Sequence, residues 1–100
     1  MNDIEFCAQL GVEVTVIEVW INEGWIRPET FEGSRAFRLA DMARARLIMD
    51  LSHHMGVNEA GVDVIMDLID QIHGLRRVIE SAMSERAHLD DELDSLIKKP

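Results

Sequence analysis

The chain has 100 residues, 47% of them hydrophobic, which is enough for one small domain or for a small domain joined to one long helix. Its 19 acidic and 10 basic residues give a net charge of −9, which argues against a general nucleic-acid binder and favours a partner with a basic surface. The single cysteine excludes an intrachain disulfide, and the sequence shows neither a signal peptide nor the run of about 20 apolar residues that spans a membrane, so we expect a cytoplasmic protein.

The charges are distributed unevenly along the chain. Residues 1–34 hold seven acidic residues and one base, Arg27, and residues 57–100 hold ten acidic residues against five bases. The intervening residues 35–56 carry four arginines and two aspartates. Any interaction with nucleic acid would therefore depend on these middle arginines, which are Arg35, Arg38, Arg44 and Arg46.

Two short helices are predicted close to the N-terminus. Asn2 or Asp3 can cap the first helix through a side-chain oxygen, and Gly11 ends it. The residues at helical spacing that would form its buried side are Ile4, Cys7 and Ala8. The second helix is predicted from Val14 to Asn22, with Gly24 suited to a left-handed cap. Two helices joined by so short a turn favour a helix-turn-helix.

A small β-wing and a third helix are predicted next. Pro28 prevents the second helix from continuing, Gly33-Ser34 indicates a turn, and the alternating run Arg35-Ala36-Phe37 suits a strand. The third helix is predicted from about Asp41 to His54. Its apolar side would consist of Ala43, Leu47, Ile48 and Leu51.

A long helix is predicted for the last part of the chain, with Asn58 as its cap. We therefore divide the chain into a head, residues 1–57, and a helical segment, residues 58–98. Apolar residues recur three and four positions apart over more than four heptads, which indicates a coiled coil between two copies of the chain. The alternative is a solvated helix that frays at its end. The residues expected to form the dimer seam are Ile65, Leu68, Ile72, Leu75, Ile79, Leu89 and Leu93.

The order of these elements resembles the MerR-type winged helix-turn-helix family. The matching segments are Gly11-Val12, Glu23-Gly24-Trp25-Ile26-Arg27-Pro28, Arg35 with Phe37, and Met55-Gly56-Val57-Asn58. Within that group the chain is more similar to the CbpM family of chaperone modulators, on Phe6-Cys7, the acidic stretch around Glu18 and the run from Ile65 to Ile72. The resemblance implies a mainly α fold, with a winged helix-turn-helix head followed by a long C-terminal dimerisation helix.

The resemblance to the chaperone modulators implies a function other than transcription. Such proteins are small dimeric inhibitors that bind the J-domain of a DnaJ-like co-chaperone of the CbpA type. They block its productive encounter with a DnaK-type Hsp70, on which the J-domain docks through a basic helix. An acidic surface is suited to occupy that helix through complementary charge.

Two groups of acidic residues are candidates for partner binding. Glu13 and Glu18 belong to the head, and Asp63, Asp67 and Asp70 fall at outward heptad positions of the long helix. For either group the alternative is an ordinary solvated face. The sequence therefore predicts a protein-binding surface without choosing between the two groups.

The second helix argues against the alternative function, a MerR-type transcription regulator that binds DNA. The second helix of a DNA-reading helix-turn-helix enters the major groove and directs cationic or amide side chains at the bases. Where MerR-type regulators typically carry an arginine and two tyrosines, this chain has Glu18-Val19-Trp20. A carboxylate facing phosphates is repelled, so we expect the middle arginines to form salt bridges or to be solvated.

No catalytic or metal-binding motif is recognisable in the sequence. The four histidines and the cysteine lack the spacing of a metal site, and no glycine-rich phosphate loop occurs. Cys7 is expected to be a small buried core residue. The sequence therefore predicts a protein that is not an enzyme and that needs no metal and no cofactor.

Overall fold

The computed structural model of the protein describes residues 1–98 and has the mainly helical fold that the sequence predicts. Residues 1–66 form one compact unit, and a second unit begins at Asp67. The elements in chain order are α1 (Asp3–Leu10), α2 (Val14–Asn22), β1 (Glu29–Phe31), β2 (Ser34–Ala36), α3 (Leu39–Met49), a π-helical turn (Asp50–His54) and α4 (Glu59–Lys98).

Helix α1 begins at a capping box and presents a different side to the core than predicted. The Asn2 side chain accepts a hydrogen bond of 2.9 Å from the Glu5 amide, and the Glu5 carboxylate accepts one from the Asn2 amide. Its buried residues are Phe6 and Leu10, whereas Ile4 and Ala8 are exposed and Cys7 is half-buried. The prediction of the buried side was wrong because Phe6 stacks on Phe37, with ring centroids 4.1 Å apart, and this contact sets the rotation of α1.

Helix α2 has the predicted bounds. Ile17 and Trp20 are buried, and Val16 is half-buried. Gly24 has a φ of +77°, and the Trp25 amide donates to the Trp20 carbonyl over 3.0 Å, which completes a Schellman cap. The cap turns the chain so that Trp25 enters the core.

The wing is a two-stranded antiparallel hairpin in which Phe31 pairs with Ser34. Its turn residues, Glu32 and Gly33, both have positive φ, as a tight two-residue hairpin turn requires. The turn therefore lies one residue before the predicted Gly33-Ser34. Phe37 follows β2, exchanges two backbone hydrogen bonds with Met1, and is buried.

Helix α3 begins at Leu39, two residues before the predicted start at Asp41. Asp41 instead occupies the first turn, where its buried carboxylate accepts a hydrogen bond of 2.8 Å from the Arg38 amide. The predicted apolar side was wrong at Ala43, which is exposed, and Leu47 is only half-buried. The buried residues of this segment are Asp41, Met42, Ala45, Ile48 and Leu51.

The predicted third helix does not continue as an α-helix to His54. Its last residues form the π-helical turn, in which the Met55 amide donates to the Asp50 carbonyl over 3.0 Å. Leu51 is buried in this turn, as predicted.

Helix α4 begins at Glu59, with the Asn58 side chain accepting a hydrogen bond of 2.8 Å from the Gly61 amide. Val62 and Met66 are buried, so the first two turns of α4 belong to the compact unit that ends at Met66. The predicted head ended earlier, at residue 57.

Farther along α4 the predicted seam residues lie at the surface of the single chain. Ile65 is half-buried, and the other six expose between 50% and 62% of their surface. An unpaired chain thus leaves this apolar strip in water.

Candidate functional site

The outer face of α2 carries carboxylates and valines. Glu13 and Glu18 are exposed, and Val14 and Val19 expose 43% and 44% of their surface. The helix Val14–Asn22 contains no basic residue. The face that would approach DNA in a helix-turn-helix therefore combines negative charge with apolar surface, a combination that phosphates repel and that a basic protein surface complements.

Arg35 of the wing is held by carboxylates from both helices of the helix-turn-helix. Its Nε donates to Asp3 Oδ1 over 3.2 Å, and its Nη2 donates to Asp3 Oδ2, so the contact is bidentate. Glu18 Oε1 lies 3.8 Å from the same Nη2. The hydrogen bond with Asp3 raises the pKa of Arg35 above its ordinary value. The positive charge of the wing is thus balanced within the head.

Two further middle arginines bind groups within the head. Arg38 donates to the Arg27 carbonyl over 3.1 Å and to Glu29 Oε1 over 3.4 Å. The Nε of Arg44 donates to the Trp25 carbonyl over 2.6 Å. The predicted salt bridge is therefore found at Arg38, with Glu29, whereas Arg44 binds a backbone carbonyl; both arginines contact the segment between α2 and the wing.

A cleft of about 480 Å³ lies between the start of α1 and the wing. Ile4 contributes its apolar side chain, which is 80% exposed, and Arg35 contributes its ion pair with Asp3. Sequence reasoning missed this cleft because it assigned Ile4 to the core. The residues that line it are Asn2, Asp3, Ile4, Gly33, Ser34 and Arg35.

The three acidic residues predicted on the long helix, Asp63, Asp67 and Asp70, differ in their contacts and burial. Asp63 Oδ1 accepts a hydrogen bond of 2.8 Å from Nε1 of Trp25, which joins α4 to the segment after α2. Asp67 Oδ2 accepts one of 2.9 Å from Gln71, and Asp70 is half-buried. Asp63 therefore has a structural contact within the head in addition to any contact with a partner.

Among the residues that the structure describes, no three histidine, cysteine, aspartate or glutamate side chains are grouped so that they could hold a metal ion. Burial raises the pKa of the Cys7 thiol, and Asp3 acts in the same direction.

Within residues 1–98 no helix is both long enough and apolar enough to cross a membrane.

These elements define a winged helix-turn-helix head with a long helix after it. The chain belongs to the MerR family: a family model described as MerR HTH family regulatory protein matches residues 2–83, which cover the head and more than half of α4. Comparison with curated proteins and with solved structures gave no match.

Proposed function

We propose that the protein is a chaperone modulator of the CbpM type. It binds the J-domain of a CbpA-type DnaJ homologue and inhibits the stimulation of a DnaK-type Hsp70, acting as a cytoplasmic adaptor without catalytic activity. The observation that carries this proposal is the outer face of α2, where Glu18 and Val19 are exposed and the helix itself contributes no basic residue. A MerR-type head with this face is better suited to a basic protein surface than to DNA.

The charge of the chain supports the same partner. A net charge of −9 attracts a basic helix over distances up to the Debye length, about 8 Å at physiological salt. Complementary charge raises the association rate and the specificity more than the affinity. Apolar surface supplies most of the affinity in such complexes, and Val14 and Val19 offer it beside Glu18.

We also propose that the protein acts as a homodimer. The apolar strip of α4 includes Leu89 and Leu93, which are 57% and 56% exposed in the single chain. A second copy presents an identical strip, so pairing of two α4 helices removes both strips from water.

The proposed function is tested by calorimetric titration of the protein with the J-domain of a CbpA-type co-chaperone. We expect binding, an association rate that falls as salt is added, and loss of J-domain-stimulated ATP hydrolysis by Hsp70. The J-domain of an unrelated DnaJ homologue serves as the control for specificity. Absence of binding at concentrations on the order of tens of micromolar would contradict the proposal.

The second candidate function, DNA binding by a MerR-type regulator, is favoured by the family description and by Arg46, which is exposed on α3. It predicts retardation of duplex DNA that weakens with salt and with Arg35→Ala or Arg44→Ala. Because Arg35 and Arg44 have partners within the head, each variant is first compared with the unmodified protein by thermal unfolding.

A further inference from the structure

The cleft between α1 and the wing adjoins the acidic face of α2. Arg35 lines the cleft, and Glu18 Oε1 lies 3.8 Å from its Nη2, so Glu18 stands at the edge of the cleft. Ile4 lines the cleft and is 80% exposed, so its side chain projects into solvent beside it. An exposed aliphatic side chain of this kind is apolar surface that an apolar side chain of a partner can cover.

The charge around the cleft is negative. Asp3 lines it, Glu18 stands at its edge, and Glu32 is exposed in the adjoining wing turn, whereas Arg35 is the base among the lining residues. The guanidinium of Arg35 is already engaged by Asp3 in a bidentate contact. Glu18 makes only a long contact with Arg35 and its side chain is 52% exposed, so its carboxylate remains accessible to a cation from outside.

We infer that this cleft, together with Glu18, is the surface on which the J-domain docks. A basic amphipathic helix would place one apolar side chain against Ile4 and one lysine or arginine on Glu18. The inference rests on the proposed function and selects between the two acidic groups that the sequence left open. The rival group is less suited at Asp63, whose carboxylate already accepts a hydrogen bond from Trp25, whereas Asp67 is exposed and is tested directly.

The experiment measures the affinity of the full-length protein for the J-domain in five variants, the fifth being Glu18→Gln. Ile4→Ser removes the apolar contact, and Glu18→Lys reverses the charge at the edge of the cleft. Leu39→Ser is the matched apolar control, since Leu39 is 84% exposed and lines another cleft that also includes Arg46. Asp67→Lys is the matched charge control and tests the rival group directly.

We expect Ile4→Ser and Glu18→Lys each to raise Kd by about tenfold. Both controls should change Kd by less than about twofold. Glu18→Gln, which cannot repel Arg35, should give a smaller loss than Glu18→Lys, and its thermal unfolding separates a binding defect from a folding defect.

Two kinds of result would overturn the inference, and only the second would also contradict the proposed function. If the unmodified protein binds and the two cleft variants bind equally well, or if Asp67→Lys alone weakens binding, the docking surface lies elsewhere while the proposed function stands. If the unmodified protein fails to bind the J-domain, the proposed function fails and the inference fails with it.

Discussion

Arg35 joins the wing to both helices of the helix-turn-helix, through Asp3 of α1 and Glu18 of α2. The Arg35 and Asp3 side chains are only 26% and 32% exposed, so water screens their attraction less than that of a surface pair. This contact therefore contributes to the stability of the head as well as to the charge of the cleft.

Asp3→Asn tests the stability contribution of this contact. The variant replaces the carboxylate with a neutral amide that keeps only one acceptor oxygen, and we expect the free energy of unfolding in urea to fall by about 1 kcal/mol. Glu13→Gln is the control, because it also removes one carboxylate from the head and Glu13 makes no side-chain cap hydrogen bond. Equal losses in the two variants would show that total charge, and not the contact with Arg35, is responsible.

Cys7 provides a prediction on pH and reactivity. Burial raises the pKa of its thiol above the ordinary value, so the folded protein contains less thiolate at pH 8 than the unfolded chain. We expect iodoacetamide to alkylate Cys7 more slowly in the native protein than in urea, which mass spectrometry measures.

The same pKa difference has a consequence for stability. Because the folded pKa of Cys7 is the higher one, its contribution is fully present below the pKa of the unfolded chain's thiol and is lost as pH rises through the folded value. The Cys7→Ser variant should lack this part of the alkaline decline. An identical decline in both proteins would assign it to other groups.

At the scale of elements, local signals predicted the ends of α1 and α2 and the start of α4, and missed the ends of α3 and the buried side of α1. The bounds of α2 and the caps at Asn2 and Asn58 follow from residues within a few positions of each other. The buried side of α1 depends on Phe37, which lies 31 positions after Phe6 and is invisible to a short window. The π-helical turn after α3 likewise has no local signal in the sequence.

Only part of the candidate site could be predicted, because the sequence shows local spacing but not contacts between distant segments. Glu13 and Glu18, which the sequence offers as candidates, are exposed, whereas Ile17 and Trp20 of α2 are buried. The cleft combines residues 2–4 with residues 33–35, so it arises only when the wing folds against α1. An isoleucine among acidic residues at a helix start was the one available signal.

Helix α4 contains two glycines that should respond oppositely to alanine. At Gly61 a Cβ atom would lie 2.6 Å from Cγ1 of Val57, whereas at Gly74 no atom outside the local helix lies within 4 Å. Gly74→Ala should raise the free energy of unfolding by up to about 1 kcal/mol, because alanine favours the helix. Gly61→Ala should lower it, because the start of α4 must shift. Thermal unfolding of the two variants provides the comparison, and stabilisation by both would contradict the close approach at Gly61.

At the scale of the whole molecule, the apolar strip of α4 predicts the oligomeric state. Replacing Ile72 and Ile79 with aspartate places charge in the proposed seam, and we expect light scattering to report a monomer or an unfolded chain. The matched control places aspartate at Ser81 and Ser84, outward heptad positions on the same helix, and should remain a dimer. A monomer in the unmodified protein would remove the proposal of dimerisation.

Glu18 belongs both to the exposed face of α2 and to the ion pairs of the wing. Its carboxylate faces water on α2 and also approaches the wing cation. Exchange of this one residue for lysine would change the local charge by two and would place a second cation beside Arg35, which Asp3 still binds. Because the chain carries a net charge of −9, this exchange leaves it acidic and removes one carboxylate that a basic partner could bind, which gives protein engineers a single position at which to weaken the proposed contact.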